Sequence, residues 1–78
     1  MTRIEIFGSG CRKCEQLQER AEAAARNLGL QAEVVKVKDF EQMMARGILS
    51  TPALALDGQV KLQGQLPTVE ALETLLRG

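Results

Sequence analysis

The sequence predicts an α/β fold with the element order β-α-β-α-β-β-α, which corresponds to a four-stranded mixed sheet flanked by three helices. Three observations support this prediction. Segments of alternating or β-branched apolar residues are separated by segments whose apolar residues recur at helical spacing. The chain opens with a strand–helix–strand unit, and such a unit pairs its two strands in parallel through a right-handed crossover. An Asp-Gly dipeptide near the C-terminus predicts an antiparallel hairpin.

The first half of the chain contains two predicted strands around a long helix. Thr2–Phe7 alternates apolar isoleucines with polar neighbours, which is the period-two pattern of a strand, and residues 8–10 form a flexible turn. Residues 14–28 carry leucine and alanine at helical spacing, and Gly29 supplies a stop signal. Residues 31–37 are rich in valine and predict the second strand.

The second half predicts a short helix, a hairpin and a final helix. Residues 40–46 form the short helix, which lies between an aspartate and a glycine suited to its two ends. Ala53–Leu56 is a short apolar run, and the Asp-Gly turn joins it to a further strand over residues 60–63. Residues 68–77 begin with a threonine that can act as N-cap and place leucines on one helical face.

Composition and charge exclude several classes of function. Ten basic and ten acidic residues give a formal net charge of zero, which argues against a nucleic-acid surface. No apolar stretch is long enough for a secretory signal or a membrane span. We therefore expect a single domain over residues 1–78 that is cytoplasmic and monomeric, with neither nucleic acid nor membrane among its partners.

The two cysteines, Cys11 and Cys14, lie where the first predicted strand passes into the first helix. Cysteines three residues apart at a helix start share one face of the first turn, so they can form or open a disulfide with little backbone movement. Unpaired N–H groups and the positive end of the helix dipole favour a thiolate there, so we expect a depressed pKa for the first cysteine. A structural disulfide would instead join distant segments. The spacing therefore predicts thiol–disulfide chemistry.

Two basic residues, Arg12 and Lys13, separate the cysteines. Positive charge close to a sulfur favours its thiolate, so both residues are candidates for tuning the pair. The alternative is that both side chains are simply solvated, since exposed charges of this kind contribute about 0–1 kcal/mol. The sequence leaves these two interpretations open.

The cysteine pair after the first strand, together with Thr51 and Pro52 immediately before the third, resembles the thioredoxin-fold family. The similarity is greatest to its small glutaredoxin-like members from bacteria and archaea. Residues 7–14 match that family's strand, loop and active-site segment, and the hairpin after Pro52 matches its last two strands. The resemblance covers essentially the whole chain. It implies a thioredoxin-like fold and a thiol–disulfide oxidoreductase for protein disulfides, recharged by a thioredoxin-reductase-type donor.

The resemblance also implies roles for individual residues. Cys11 would attack the substrate disulfide, and Cys14 would resolve the resulting mixed disulfide. Pro52 would follow a cis peptide bond, and Thr51 would pair through its backbone with an extended substrate. Gly10 would lie in the substrate-binding region beside Cys11. The alternative for Pro52 is a trans-proline that begins a strand, where its missing N–H does no harm.

Glu5 stands six residues before the first cysteine, the offset at which thioredoxins place a buried carboxylate. There it would help to deprotonate the second cysteine. A buried acid is costly unless it is protonated or paired. The alternative is that Glu5 faces a solvated part of the sheet or pairs with a nearby lysine such as Lys36.

The residues around the cysteines depart from both better-known groups of the family. Thioredoxins usually carry Trp before the first cysteine and Gly-Pro between the two cysteines. This chain has Gly10 before the first cysteine and Arg12 and Lys13 between the two. Glutaredoxins usually have Pro-Tyr between the cysteines, and this sequence contains no tyrosine. The missing tyrosine argues against glutathione, so we expect no cofactor.

A soft-metal domain of the copper-chaperone type is the alternative function. Such domains also place Cys-x-x-Cys after the first strand, and two thiolates bind Cu(I) well. They end in a strand, whereas residues 68–77 show a helical pattern, so the secondary structure of this segment separates the two functions. A structural zinc site is disfavoured because the sequence has no histidine and no further cysteine. We therefore expect no metal ligands.

Overall fold

A computed structural model describes residues 2–8 and 12–77 of the chain. Its strands are β1 (Thr2–Phe7), β2 (Ala32–Val37), β3 (Ala53–Leu56) and β4 (Gln59–Gln63), and its helices are α1 (Arg12–Asn27), α2 (Phe40–Ala45) and α3 (Val69–Leu76). The predicted element order and the α/β class with a four-stranded mixed sheet and three helices are confirmed. None of the helices in the described part of the chain is both long and apolar enough to cross a membrane.

The sheet has the strand order β2-β1-β3-β4, so β1 and β3 are interior strands. β1 pairs in parallel with β2 through the α1 crossover, and antiparallel with β3. β3 and β4 form the predicted hairpin, whose register shifts between Leu54 and Ala55. The turn is fixed to the start of β1 because the Arg3 N–H donates to Asp57 Oδ1 at 2.8 Å.

The short helix α2 is held at both ends by hydrogen bonds that its sequence encodes. At its start, Asp39 Oδ1 accepts from the Glu41 N–H at 2.9 Å. At its end, Gly47 adopts a φ of 72° and the Ile48 N–H donates to the Met43 carbonyl at 2.9 Å, which is a Schellman motif. Helices of this length are marginal in isolation, so these caps and the buried Met43 side chain fix the position of α2.

The sheet separates two apolar cores because alternate residues of a strand point to opposite faces. The larger core lies between the sheet and the helices α1 and α3, and the smaller one lies beneath α2 and the loop that follows it. Buried members of the larger core are Ile4, Ile6, Leu17, Ala21, Ala24, Ala25, Leu54, Leu62, Leu72 and Leu76. Buried members of the smaller core are Phe7, Val37, Met43, Ile48, Ala53 and Ala55.

Leu72 and Leu49 form a matched pair for testing this core, since Leu72 is 0% exposed and Leu49 is 93% exposed. Leu72→Ala should lower the free energy of unfolding by about 2–5 kcal/mol, because it leaves a cavity beneath α3. Leu49→Ala should change that free energy by less than about 0.5 kcal/mol. Urea denaturation followed by circular dichroism, with both variants in the same disulfide state, measures the two values. Equal losses would contradict the assignment of Leu72 to the core.

Candidate active site

Cys14 is buried in the first turn of α1, where the sequence predicted it. In the structure it is disulfide-bonded. The other cysteine of the sequence, Cys11, and the neighbouring Gly10 lie outside the described residues. The first turn of a helix is a favourable environment for a thiolate, because its N–H groups lack intrahelical partners. The roles of Cys11 as attacking residue and of Gly10 in substrate binding stay predictions.

Gly8 follows β1 directly and packs against Cys14. Its N–H donates to the Val37 carbonyl at 3.1 Å, which continues the β1–β2 pairing by one residue. A Cβ atom at this glycine would overlap Cys14 Sγ and would lie 3.8 Å from Thr51 Cβ. The missing side chain therefore leaves the space that the sulfur occupies. The sequence predicted only that Gly8 belongs to a flexible turn. Its packing against Cys14 was missed, because the need for a glycine here comes from a neighbour in space and leaves no pattern in the adjacent sequence.

Thr51 and Pro52 connect the loop after α2 to β3 and are joined by a cis peptide bond. Pro52 is buried, and its carbonyl accepts from the Gly64 N–H at 2.8 Å, which holds this loop against the segment after β4. Thr51 is exposed. Because Thr51 and Cys14 both lie against Gly8, the structure brings them together at the end of β1.

Arg12 and Lys13 are exposed in the first turn of α1. Their exposure fits either of the two interpretations that the sequence left open. Charges on solvated side chains are screened, so any influence on the cysteine pair is limited to about 0–1 kcal/mol for each residue. Their tuning role stays a prediction.

Glu5 is buried in β1, with 4% of its surface exposed. Both of its carboxylate oxygens accept a hydrogen bond from Arg46 Nη2 at 3.0 Å, and Arg3 Nε lies 3.9 Å from Oε2. The guanidinium carbon of Arg46 also lies 5.6 Å from the centre of the Phe7 ring, a cation–π contact. The suggestions that Glu5 faces solvent or pairs with Lys36 are therefore wrong.

The strand register explains why Lys36 is not the partner of Glu5. Glu5 is aligned with Val35, while Lys36 is aligned with Ile6. Adjacent residues of a strand point to opposite faces, so Glu5 and Lys36 lie on opposite sides of the sheet. Glu5 shares the face that α2 covers, and Arg46 is the C-cap residue of that helix. Arg46 was missed because it lies 41 residues away in sequence and becomes a neighbour only when α2 packs on the sheet.

The strand order, the connecting helices and the cysteine in the first turn of α1 define a protein of the thioredoxin fold. A family model described as a thioredoxin domain matches residues 2–77. The chain is 36% identical over 76 residues to a thioredoxin of Methanothermobacter thermautotrophicus, a match that covers 97% of this chain and 99% of that protein. It is 39% identical over 77 residues to a thioredoxin of Methanocaldococcus jannaschii, which covers 99% and 88% respectively.

The chain therefore belongs to the thioredoxin family. This confirms the resemblance to small thioredoxin-fold proteins of bacteria and archaea. It also supports a thioredoxin-like redox protein in general terms.

Gly8→Ala would place a methyl group where the Cys14 sulfur lies. We expect overpacking to lower the unfolding free energy of the disulfide-bonded Gly8→Ala variant. The loss should be about 1–3 kcal/mol larger than that of a control variant. Gly58→Ala is the matched control, because Gly58 has a φ of 88° but an added Cβ meets nothing within 4 Å. That control reports backbone strain alone. If urea denaturation finds no larger loss for Gly8→Ala than for Gly58→Ala, the close contact with Cys14 is refuted.

Arg46→Met removes the cation beside Glu5 and keeps an apolar stem over Phe7. Because the Arg46 side chain is 35% exposed, the expected loss of unfolding free energy is about 1–3 kcal/mol, below that for a fully buried pair. The double variant Glu5→Gln, Arg46→Met should recover part of this loss, since no unpaired carboxylate remains. A double-mutant cycle by urea denaturation measures the coupling. Strictly additive losses would show that the two residues do not stabilise each other.

Proposed function

We propose that this chain is a thiol–disulfide oxidoreductase that uses Cys11 and Cys14 to reduce disulfides in protein substrates. The observation that carries the proposal is the position of Cys14, a buried, disulfide-bonded cysteine in the first turn of α1 beside Gly8 and Thr51. Cys11 is the partner in this proposal because the sequence contains no third cysteine. Membership of the thioredoxin family supports the same chemistry.

The first step is attack by the Cys11 thiolate on one sulfur of the substrate disulfide. A bond forms between Cys11 and that sulfur, the substrate disulfide breaks, and the second substrate sulfur leaves as a thiolate that takes up a proton. The N–H groups and dipole at the start of α1 stabilise the attacking thiolate. Arg12 and Lys13 add positive charge in the same turn.

In the second step the Cys14 thiolate attacks the Cys11 sulfur of the mixed disulfide. The Cys11–Cys14 bond forms and the bond to the substrate breaks, so the substrate leaves with two thiols. Each substrate sulfur has then taken up a proton after its release, two electrons have passed from the chain to the substrate, and a thioredoxin-reductase-type donor would restore the dithiol. The burial of Cys14 supports this division of roles, because a buried sulfur is less accessible to an external disulfide than to a neighbouring cysteine.

Glu5 is the candidate proton acceptor for Cys14 in the second step. It lies on β1, and the residue that directly follows this strand is Gly8, against which Cys14 packs. Both carboxylate oxygens already accept a hydrogen bond from Arg46, and each keeps a further lone pair that could accept a proton. The pairing itself supports a structural role, and the relay stays a prediction.

The substrate-binding part of the proposal consists of Thr51, Pro52 and Gly10. Thr51 is exposed beside the site, so an extended substrate segment could pair with its backbone as an added strand. Pro52 is buried and has no N–H, and its carbonyl is already bonded to Gly64, so it acts by positioning Thr51. Substrate recognition would then depend on main-chain contacts at Thr51 and on side chains further along the surface.

The C-terminal helix supports the redox function over the soft-metal function. The redox function predicts a helix over residues 68–77, whereas the soft-metal function predicts a strand. In the structure Val69–Leu76 is helical. The helix is capped by Thr68, whose Oγ1 accepts from the Ala71 N–H at 3.1 Å. Metal-binding domains of the copper-chaperone type would end in a strand at this point.

The two cysteine variants test the proposed mechanism. Cys11→Ser should abolish the reduction of insulin disulfides, because the attacking thiolate is gone. Cys14→Ser should instead retain a nucleophile and accumulate a stable mixed disulfide with the substrate, because nothing resolves it. Non-reducing mass spectrometry detects the adduct, and the double variant is the control that should form none. Accumulation by Cys11→Ser would mean that the roles are reversed, and a wild-type protein that reduces no protein disulfide would overturn the function.

A further inference from the structure

The two edges of the sheet differ in how well they are protected against pairing with another strand. β4 forms one edge, and its register with β3 shifts so that Lys61 is an extra residue between Val60 and Leu62. A bulge and a lysine on an edge strand both hinder further pairing. β2 forms the other edge, and its six residues pair with β1 in unbroken register. Within the described ranges, the outer side of β2 therefore presents a regular backbone edge that no second strand covers.

A surface depression of about 350 Å³ lies beside this edge, between α1 and β2. Most of its lining is apolar, and only two of its lining residues are charged. The residues that line it are Glu22, Ala25, Arg26, Leu30, Ala32 and Val34. A strand added to β2 would bring its own side chains over this lining and remove apolar surface from water. We call the outer edge of β2 together with these residues the β2 edge surface.

Glu22 and Arg26 give the β2 edge surface a charge pattern that is complementary to itself. The two residues are one helical turn apart on α1, so they lie on one face of the helix, and both line the depression. When two copies of the chain meet about a twofold axis between these residues, the two α1 helices run in opposite directions. Glu22 of each copy then faces Arg26 of the other. Opposite charges therefore meet twice across such an interface.

The charged residues of β2 itself restrict the register of this pairing. In an antiparallel pair of identical strands related by a twofold axis, the residue at the axis faces its own copy. Glu33 or Lys36 at the axis would place like charges opposite each other, which is unfavourable. With Val34 at the axis, Glu33 and Lys36 each face an uncharged residue. Val34 also lines the depression, so this register brings the axis to the two charged residues of α1.

We propose that the chain forms a symmetric homodimer, in which two β2 strands pair antiparallel about Val34 and Glu22 of each copy binds Arg26 of the other. The pairing covers a short edge, so the dimer dissociates on dilution. Because β1 and β2 are parallel, the two Cys14 sites lie at opposite ends of the joined sheet and stay open to substrates. This departs from the monomer expected from the sequence, since the uncovered edge follows from the strand order and not from a local pattern.

Charge reversal tests the proposal with the full-length protein under reducing conditions, which exclude an intermolecular disulfide. Sedimentation equilibrium of the wild type should give a mass that rises towards twice that of one chain as the concentration increases. Glu22→Arg leaves two cations on the β2 edge surface and Arg26→Glu leaves two anions, so each variant alone should dimerise at least about tenfold more weakly. An equimolar mixture of the two variants should recover the dimer, because the cationic surface of one then meets the anionic surface of the other. The double variant Glu22→Arg, Arg26→Glu should recover it as well.

Glu70→Arg is the matched control, because it changes the net charge as Glu22→Arg does but lies exposed on α3, outside the depression. It should dimerise like the wild type, and a loss as large as that of Glu22→Arg would overturn the proposal by assigning the effect to net charge. Arg26 is exposed, so Arg26→Glu keeps the fold and tests the prediction even where Glu22→Arg, at a half-buried position, does not fold.

Two further results would overturn the proposed dimer. A wild-type protein that stays monomeric at millimolar concentration would show that the β2 edge surface does not pair with a second copy. A wild-type dimer that persists undiminished in the single variants, or that the mixture of folded variants does not recover, would place the interface on another surface of the chain.

Discussion

The rest of the structure depends on β1, because this strand is paired along both edges and covered on both faces. It aligns in parallel with β2 and antiparallel with β3, and residues 4–8 are buried. The larger apolar core packs on its Ile4 and Ile6 side, and the smaller core on its Phe7 side. A strand held from four directions fixes the position of the residue that follows it. That residue is Gly8, so the sulfur of Cys14 packs against one of the best-constrained points of the molecule.

Burial of β1 also explains the ion pair between Glu5 and Arg46. A carboxylate on an interior strand loses its hydration, and the free-energy cost is high unless a cation replaces the water. Arg46 supplies that cation from the end of α2, and its exposed part keeps the desolvation of the pair incomplete. The pair therefore fastens the end of α2 to β1. The loop that leaves Arg46 leads within five residues to Thr51, so this attachment also restricts where the loop that carries Thr51 can lie.

Features that depend on neighbours in sequence could be predicted, and features that depend on neighbours in space could not. The bounds of β1 and β3 agree with prediction because alternation and flanking turn residues are local signals. The short helix α2 ends at Ala45 rather than Arg46, a difference within the fraying of helix ends. The partner of Glu5 required knowledge of which helix covers which face of the sheet.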